Sequence, residues 1–448
     1  MRKLGKKVVF ILLGLILVLT PMIGACTGEA PPPEPPPGPA PGPEKPAKLI
    51  VPNNSAYTGP YSATPTIWGA GVEDYFNHIN ETEGGVDGVP LELLAHDNTG
   101  DPAVVVRLYE EVRGMDPIPP LMVTCQSVTT VSLRDRFQED NVFCIAGASG
   151  LWPPGWVASN MNSFGDTQGL NLQWIAEQWN NSGESRKCRI ALLNVDFPGS
   201  IDLHGPEMEQ LVDALGMELV HNSVYPLGAV DITADILKMM QQEPDWVLGL
   251  YLATFGGPVY QGLQSLGYRD DVKIAVTYGC LDPFFARQWG EENLEGVIGA
   301  TGDYIWFPES QGPKTSGDRL MVEIWDKSNR PADWKGTTYN SGVTSGMFAV
   351  AMLEKAVAAV GWDNLDGQAV HDAVMSTQEI DLGPGVTRGG LAPGARSNSW
   401  ARMWEYQADG SLLPISDFLQ CPDMRLQDFR TQEYNWQASG WPEGYFNE

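Results

Sequence analysis

Residues 49–97 read LIVPNNSAYTGPYSATPTIWGAGVEDYFNHINETEGGVDGVPLELLAHD, and the order of their apolar and turn-forming positions decides the fold. Leu49-Ile50-Val51 is an apolar strand that ends in the loop Ser55-Ala56-Tyr57-Thr58-Gly59-Pro60-Tyr61. Behind that loop Ile67, Gly71, Tyr75 and Ile79 recur at helical spacing, with Val72 and Phe76 beside them, so one face of a helix is apolar. Gly84-Gly85-Val86-Asp87-Gly88 supplies a turn and Leu91 to Ala95 a second strand. Asp101-Pro102 then opens a helix through Val104, Val105, Leu108 and Val112, because proline suits the first helical position.

The same alternation runs outward from this stretch. Pro120 to Thr124, Val142 to Ala146, Arg189 to Asn194, Trp246 to Leu250 and Val272 to Val276 read as strands, each followed by a turn and a helical segment. Strands that alternate with helices of this length predict an α/β protein with parallel sheets covered on both faces. The roughly 400 residues involved exceed what one hydrophobic core serves, so two doubly wound lobes are expected. Near the end, Ala401 to Gln407, the turn Asp409-Gly410 and Leu412 to Ile415 read as a hairpin. Residues 421–448 are aromatic and acidic without clear periodicity.

The N-terminus is of another kind. Arg2, Lys3, Lys6 and Lys7 precede an apolar run of 12 residues from Val8 to Leu19. A membrane-spanning helix needs roughly 20 apolar residues, so residues 1–25 read as a secretory signal and the chain as exported. Ile23-Gly24-Ala25-Cys26 resembles the lipobox of bacterial lipoproteins, which implies that Cys26 is acylated and becomes the mature N-terminus. Ten prolines between residues 31 and 46 exclude helix and sheet there, so residues 26–47 form an extended linker that holds the body off a membrane.

Composition narrows the function. The net charge of −28 includes the four positive charges of the signal, so the mature chain carries about −32. Nucleic acid and bare anionic membrane are poor partners for such a body. Beyond Cys26 the cysteines are Cys125, Cys144, Cys188, Cys280 and Cys421, an odd number without CxxC spacing. That leaves room for one or two bridges, but supports no zinc site. The five histidines show no HExxH pattern. The serines of Gly147-Ala148-Ser149-Gly150 and Gly342-Val343-Thr344-Ser345-Gly346 are misplaced for a nucleophile elbow, and no phosphate-binding glycine loop follows a strand. The 56 acidic residues are mostly a solvated surface. No enzyme is therefore expected, and no metal or cofactor.

Thr58-Gly59-Pro60-Tyr61, the helix through Asn80, Gly84 to Leu93, His96-Asp97-Asn98 and Asp101-Pro102-Ala103 together resemble the opening of the type I periplasmic binding proteins of the leucine/isoleucine/valine class. Asp231-Ile232-Thr233, Leu294-Glu295-Gly296-Val297 and the long helix from Tyr339 to Gly361 continue the likeness, which covers roughly residues 48–420. The resemblance implies two doubly wound lobes joined by three crossing segments, expected near Phe164-Gly165, Gly299 to Asp303 and Ile380 to Gly383. Lobe 1 is then residues 48–164 plus 303–382, and lobe 2 residues 165–302 plus 383–420. It also implies a monomer that closes on a small solute such as an amino acid, and delivers it to an ABC permease. A sensor that reports its ligand to a receptor uses the same cleft and closure, and the sequence does not separate the two.

In open parallel sheets ligands sit beyond the carboxyl ends of the strands, where helix N-termini offer unpaired N–H groups. In the first lobe this selects Tyr57 and Tyr61, Ser127, and Ala148, Ser149 and Trp152. The resemblance carries a carboxylate-binding role onto Ser127, Ala148 and Ser149, although serine is also a common helix cap. In the second lobe the candidate loops hold Asp196 and Phe197, then Tyr251 with Phe255, then Tyr278. Amino-acid binders of the family place an aromatic in the first of these and an acid in the last. Phe197 keeps the aromatic, but Tyr278 or Gly279 stands where the acid is expected, which leaves Asp196 and Asp282 as candidate counter-charges. A tyrosine there suits an amide, a urea-like solute or a short carboxylate instead. Several of these aromatics have an equally ordinary reading as packing between helix and sheet.

Overall fold

The computed structural model describes residues 45–59, 62–147, 155–196, 200, 203–226, 228–250, 257–283, 290, 293–307, 312–383, 385–391, 397–422 and 424. The first sheet contains β1 (Leu49–Ser55), β2 (Leu91–Asp97), β3 (Leu121–Thr124), β4 (Phe143–Ala146) and β5 (Val157–Ala158), all parallel in the order β2-β1-β3-β4-β5. α1 (Ala63–Glu83), α2 (Pro102–Arg113) and α3 (Ser127–Glu139) connect its strands. α4 (Phe164–Asn181) leads into β6 (Arg189–Asp196), β7 (Glu218–Pro226), β8 (Trp246–Gly249), β9 (Lys273–Val276) and β10 (Ile298–Thr301), with α5 (Pro206–Ala214), α6 (Thr233–Met240) and α7 (Gly257–Ser265) between them. The chain then forms α8 (Ser316–Ser328), α9 (Thr337–Val360), α10 (Gly367–Met375) and the small antiparallel pair β11 (Glu379–Asp381) and β12 (Arg388–Gly390). β13 (Trp400–Tyr406) and β14 (Leu412–Gln420) finish the second sheet, ordered β14-β13-β10-β9-β8-β6-β7.

Strand residues alternate between two cores because side chains on a strand point to opposite faces. In β6, Ala191, Leu193 and Val195 join one apolar cluster while Ile190 and Leu192 join the cluster on the other face. β8 and β9 divide the same way, Val247, Ile274 and Val276 from Leu248 and Ala275. Both faces are therefore covered, as the continuous apolar runs predict. The first lobe has its own core, in which Trp68 and Phe76 of α1 meet Tyr339 and Phe348 of α9. α1 and α9 touch backbone to backbone: a Cβ on Gly342 would lie 2.0 Å from the Trp68 carbonyl oxygen, and one on Gly71 2.3 Å from that of Tyr339. Only glycine permits this crossing. α9 is long and apolar enough to cross a bilayer, yet most of its residues are buried in this core.

Three chain segments pass between the lobes beside one side chain. Asn162, fully buried, donates through Nδ2 to the Asn398 and Trp400 carbonyls at 2.8 and 2.9 Å and accepts the Gly302 N–H at 2.7 Å. The first two segments lie close to the expected crossings. The third differs from the expected Ile380 to Gly383: Ile380, Leu382, Val386 and Leu391 all pack in the first core, and Ser397 to Trp400 is the stretch that runs beside Asn162. The physical reason is a hairpin, β11–β12, whose apolar side chains keep the chain on the first lobe for roughly fifteen residues more than the strand pattern suggests.

Other expectations are also revised. Cys125, Cys144 and Cys188 are unbridged, and burial pushes the Cys125 thiol up to about 12, so it stays protonated and unreactive at neutral pH. The hairpin strand β14 extends to Gln420, five residues past Ile415. Cys421 and Met424 pack in the α4-side core, and the Met424 N–H donates to Asp166 at 3.0 Å, so the start of the C-terminal segment belongs to the folded body.

Candidate functional site

The order β2-β1-β3-β4-β5 reverses between β1 and β3, and the parallel strands of the second sheet repeat it as β7-β6-β8-β9-β10, reversing between β6 and β8. Such switch points leave a crevice at the carboxyl ends of the strands. Tyr57 and Ser127 lie at the first, and Asp196 at the second.

A buried polar network builds the floor at the first switch point. Asn54 donates to the Val105 carbonyl at 3.1 Å and accepts from Asn98 at 3.0 Å. The Thr124 hydroxyl donates to the Asn54 carbonyl at 2.8 Å, and the Ser55 hydroxyl to Asn53 Oδ1 at 2.7 Å. Asp97 at the end of β2 accepts the N–H groups of Tyr57, Thr58 and Thr99 and the Thr58 hydroxyl. Burial alone would raise the Asp97 carboxyl, but these hydrogen bonds outweigh it and hold the group below the usual range. The Gln126 amide oxygen accepts the Ala56 N–H at 2.8 Å, joining the two loops across the switch point.

Two site residues then differ in what they have left to offer. The Tyr57 hydroxyl accepts from Asn53 at 2.7 Å, and burial raises its pKa, so this ring is largely part of the floor. Ser127 is the first residue of α3, whose N-cap is Gln126 without a side-chain cap. Ser127 therefore does not cap its helix. Its hydroxyl is half-buried, and no hydrogen bond occupies it among the described residues.

Tyr278 follows β9 and reaches across to the first lobe. Its ring stacks on Phe164, 4.8 Å between centroids at 12°, and its hydroxyl donates to the Gly147 carbonyl at 3.3 Å. Gly147 is bare because a Cβ there would fall 2.6 Å from the Trp68 indole nitrogen. Burial, with the charge of Asp303 second, raises the Tyr278 phenol well above its ordinary value, so it remains a donor.

Asp282 is engaged elsewhere than a ligand counter-charge would be. Its Oδ2 accepts the Thr338 N–H and hydroxyl, both at 2.7 Å, while Thr337 donates to the Leu281 carbonyl at 2.6 Å. The carboxylate sits at the positive end of α9, a stabilising position that also ties the lobes together. Asp196 is exposed at the end of β6. Tyr61, Ala148, Ser149, Trp152, Phe197 and Tyr251, with Cys26, the expected acylation position, lie outside the described residues.

Asp303 is the residue that sequence reasoning passed over as mere crossing. It is buried just beyond β10, and its Oδ2 accepts the Ser341 hydroxyl at 2.9 Å while Oδ1 has no partner. Burial pushes its carboxyl up to about 7, against the opposing Ser341 hydrogen bond. The only signal in the sequence was an acid inside an otherwise small and apolar crossing, Gly299-Ala300-Thr301-Gly302-Asp303.

Against this geometry, the sequence model of the periplasmic binding protein family matches residues 51–409. The chain belongs to that family. Its fold is the type I periplasmic binding protein fold, and membership implies a place outside the cytoplasm and a small-molecule ligand. No curated protein matches the sequence. Among solved structures, a branched-chain amino acid ABC transporter protein from Thermus thermophilus with bound valine is 20% identical with a TM-score of 0.73, covering 87% of this chain and 99% of its own. A solute-binding protein of an ABC transporter from R. palustris, in complex with 4-hydroxybenzoate, is 15% identical with a TM-score of 0.69, covering 84% and 98%. A fatty acid ABC transporter substrate-binding protein from Thermomonospora curvata is 16% identical with a TM-score of 0.69, covering 84% and 93%. For this periplasmic binding protein such distant likenesses carry the fold alone, and the solute is a question for its own residues.

Proposed function

We propose that this periplasmic binding protein is a lipid-anchored solute receptor that captures a small polar ligand between its lobes and delivers it to an ABC permease. Cys26 carries the acyl anchor, and residues 26–47 are the tether. Lobe 1 comprises residues 48–158 with 304–391, and lobe 2 residues 164–301 with 400–422, the crossings lying between. The cleft is the space between the two switch points, and closure brings the second lobe's loops onto the first.

The observation that carries the reading is the Ser127 hydroxyl, on a half-buried residue in the first turn of a helix without a side-chain cap, at the switch point, with no hydrogen bond to any described residue. A carboxylate or amide oxygen accepts from that hydroxyl and from first-turn N–H groups together. Opposite it, Tyr278 supplies a phenol where amino-acid binders of the family carry an acid, and the nearby Asp282 is held by α9. Ala148, Ser149, Trp152, Phe197, Tyr251 and Asp196 complete the proposed lining. This favours short carboxylates and amides, with an amino acid requiring Asp196 as its ammonium partner.

Thermal unfolding of the mature chain against amino acids, amides, urea and short carboxylates tests the proposal. A solute at a hundred times its Kd stabilises the native state by about 2.7 kcal/mol, a shift of several degrees. Ser127→Ala is expected to weaken that solute by roughly 1 kcal/mol or more. An unchanged affinity in the variant would mean that the cleft is placed wrongly, and silence across the panel would exclude the small polar class.

A further inference from the structure

A cavity of about 700 Å³ lies beside the interlobe crossings. Its walls come from both lobes: residues 303–307 beyond the second crossing, Asp381, Gly383 and residues 385–387 around the β11–β12 hairpin, and residues between 402 and 418 on β13–β14. Tyr57, Ser127 and Tyr278 are not among its wall residues.

The polar groups of this cavity are unevenly satisfied. Arg402 is held in place by three contacts: its guanidinium lies 5.7 Å from the Trp404 ring centroid and 5.2 Å from that of Phe418, and its Nε donates to the Ser416 carbonyl at 3.0 Å. Its terminal nitrogens have no acceptor among the described residues. Trp306 Nε1, Trp404 Nε1 and Thr387 Oγ1 are buried behind the wall and have no partner among the described residues. Buried donors are rarely left unmet, because desolvation is then uncompensated. The acids of the wall are committed differently. Asp318 accepts from the Lys314 and Thr315 N–H groups and the Tyr304 hydroxyl, and Asp381 accepts the Gly383 N–H. Asp303 is the exception, with Oδ1 unpaired, and its burial favours the protonated, neutral form.

We propose that this cavity is a second ligand site, for a small ring carboxylate. The pre-positioned Arg402 takes the carboxylate through its planar fork, the geometry a guanidinium offers and an ammonium does not. The ring packs among Trp306, Trp404 and Phe418. This inference does not depend on the reading of the strand-end cleft.

Calorimetric titration of the mature chain with benzoate as the probe, and benzamide as its neutral counterpart, tests it. Benzoate is expected to give saturable one-to-one binding and benzamide none. Arg402→Met should lower benzoate affinity by about tenfold or more. Ser127→Ala should leave benzoate affinity unchanged. Circular dichroism confirms folding, and if Arg402→Met does not fold, Arg402→Lys replaces it with the same expectation. Absence of saturable heat, equal binding of benzamide, or loss of benzoate binding in Ser127→Ala but not at Arg402 would each overturn the proposal.

Discussion

The first sheet and the parallel part of the second have the same strand order, and yet their carboxyl ends are equipped for different tasks. At the first switch point, side chains of neighbouring segments bond one another, Asn98 to Asn54 and Ser55 to Thr124, and others reach backbone groups across the strands, so the loops around Tyr57 and Ser127 are braced from several sides. The described contacts at the second are fewer and mostly to the backbone, such as Asn194 accepting the Leu250 N–H and Gln168 donating to the Leu203 carbonyl. What the second lobe does supply are side chains that leave it: Tyr278 bonds Gly147, and Asp282 bonds the start of α9. One topology thus gives a preset face and a reaching face. Preorganisation on one side lowers the ordering cost of binding, while contacts from the other make that binding depend on closure.

The largest expected effect sits on the segment that joins the two faces. Asp303 has a native pKa of about 7 against an ordinary carboxyl value when unfolded, so the native state retains a proton that the unfolded chain loses first. The contribution of Asp303 to stability is therefore greatest at acid pH, declines as pH rises from about 4 to about 7 and is flat above, a total on the order of 4 kcal/mol. Asp303→Asn should erase that decline, as measured by urea unfolding of both proteins from pH 4 to 8. A slope identical in the two would refute the assignment. Next, Asn54→Ala is expected to cost about 2–3 kcal/mol, because it removes two buried hydrogen bonds of the floor, one from Asn98 and one to the Val105 carbonyl. Asn194→Ala on the second lobe should cost about 1–2 kcal/mol. Equal losses in chemical denaturation would erase the contrast between the faces.

Asp282→Ala removes the carboxylate at the head of α9 and should lower stability by about 1–2 kcal/mol, visible as a drop in Tm. Tyr278→Phe should change stability by less than about 1 kcal/mol, since the bond it removes is 3.3 Å long. Its sharper readout is shape. If Tyr278 is the reaching contact, small-angle scattering of the ligand-free variant will report a more open molecule than the parent, and identical profiles would assign the hydroxyl no part in closure.

Much of the preset face was legible in the sequence, because its information is local. Leu49 to Val51, the helix of Ile67, Gly71, Tyr75 and Ile79, and the cap Asp101-Pro102 all stand as the patterns predict, with the Asp101 carboxylate accepting the Ala103 N–H at 2.7 Å. The reaching face was less legible, because its decisive pairs are distant in the chain. Asp282 finds its partner at Thr338, and nothing near either residue marks that meeting. Asp303 carries no local sign that its surroundings exclude water. The third crossing was misplaced for a related reason, since the short strands β11 and β12 are too brief for their periodicity to show which core they join. Ser127 reads in the sequence as a possible helix cap, and it is Gln126 that occupies the cap position.

One amide stitches all three interlobe segments, and that has a mechanical meaning. Three separate ribbons bend independently and share any load, but ribbons pinned to a common point turn about it together. Asn162 therefore acts as a fulcrum close to the axis, where a slight displacement is multiplied along the length of each lobe. Substitutions around Asn162, far from any solute, would then set how wide the jaws rest, and a family of such variants would tune the affinity of the protein through its idle posture, leaving the solute contacts untouched.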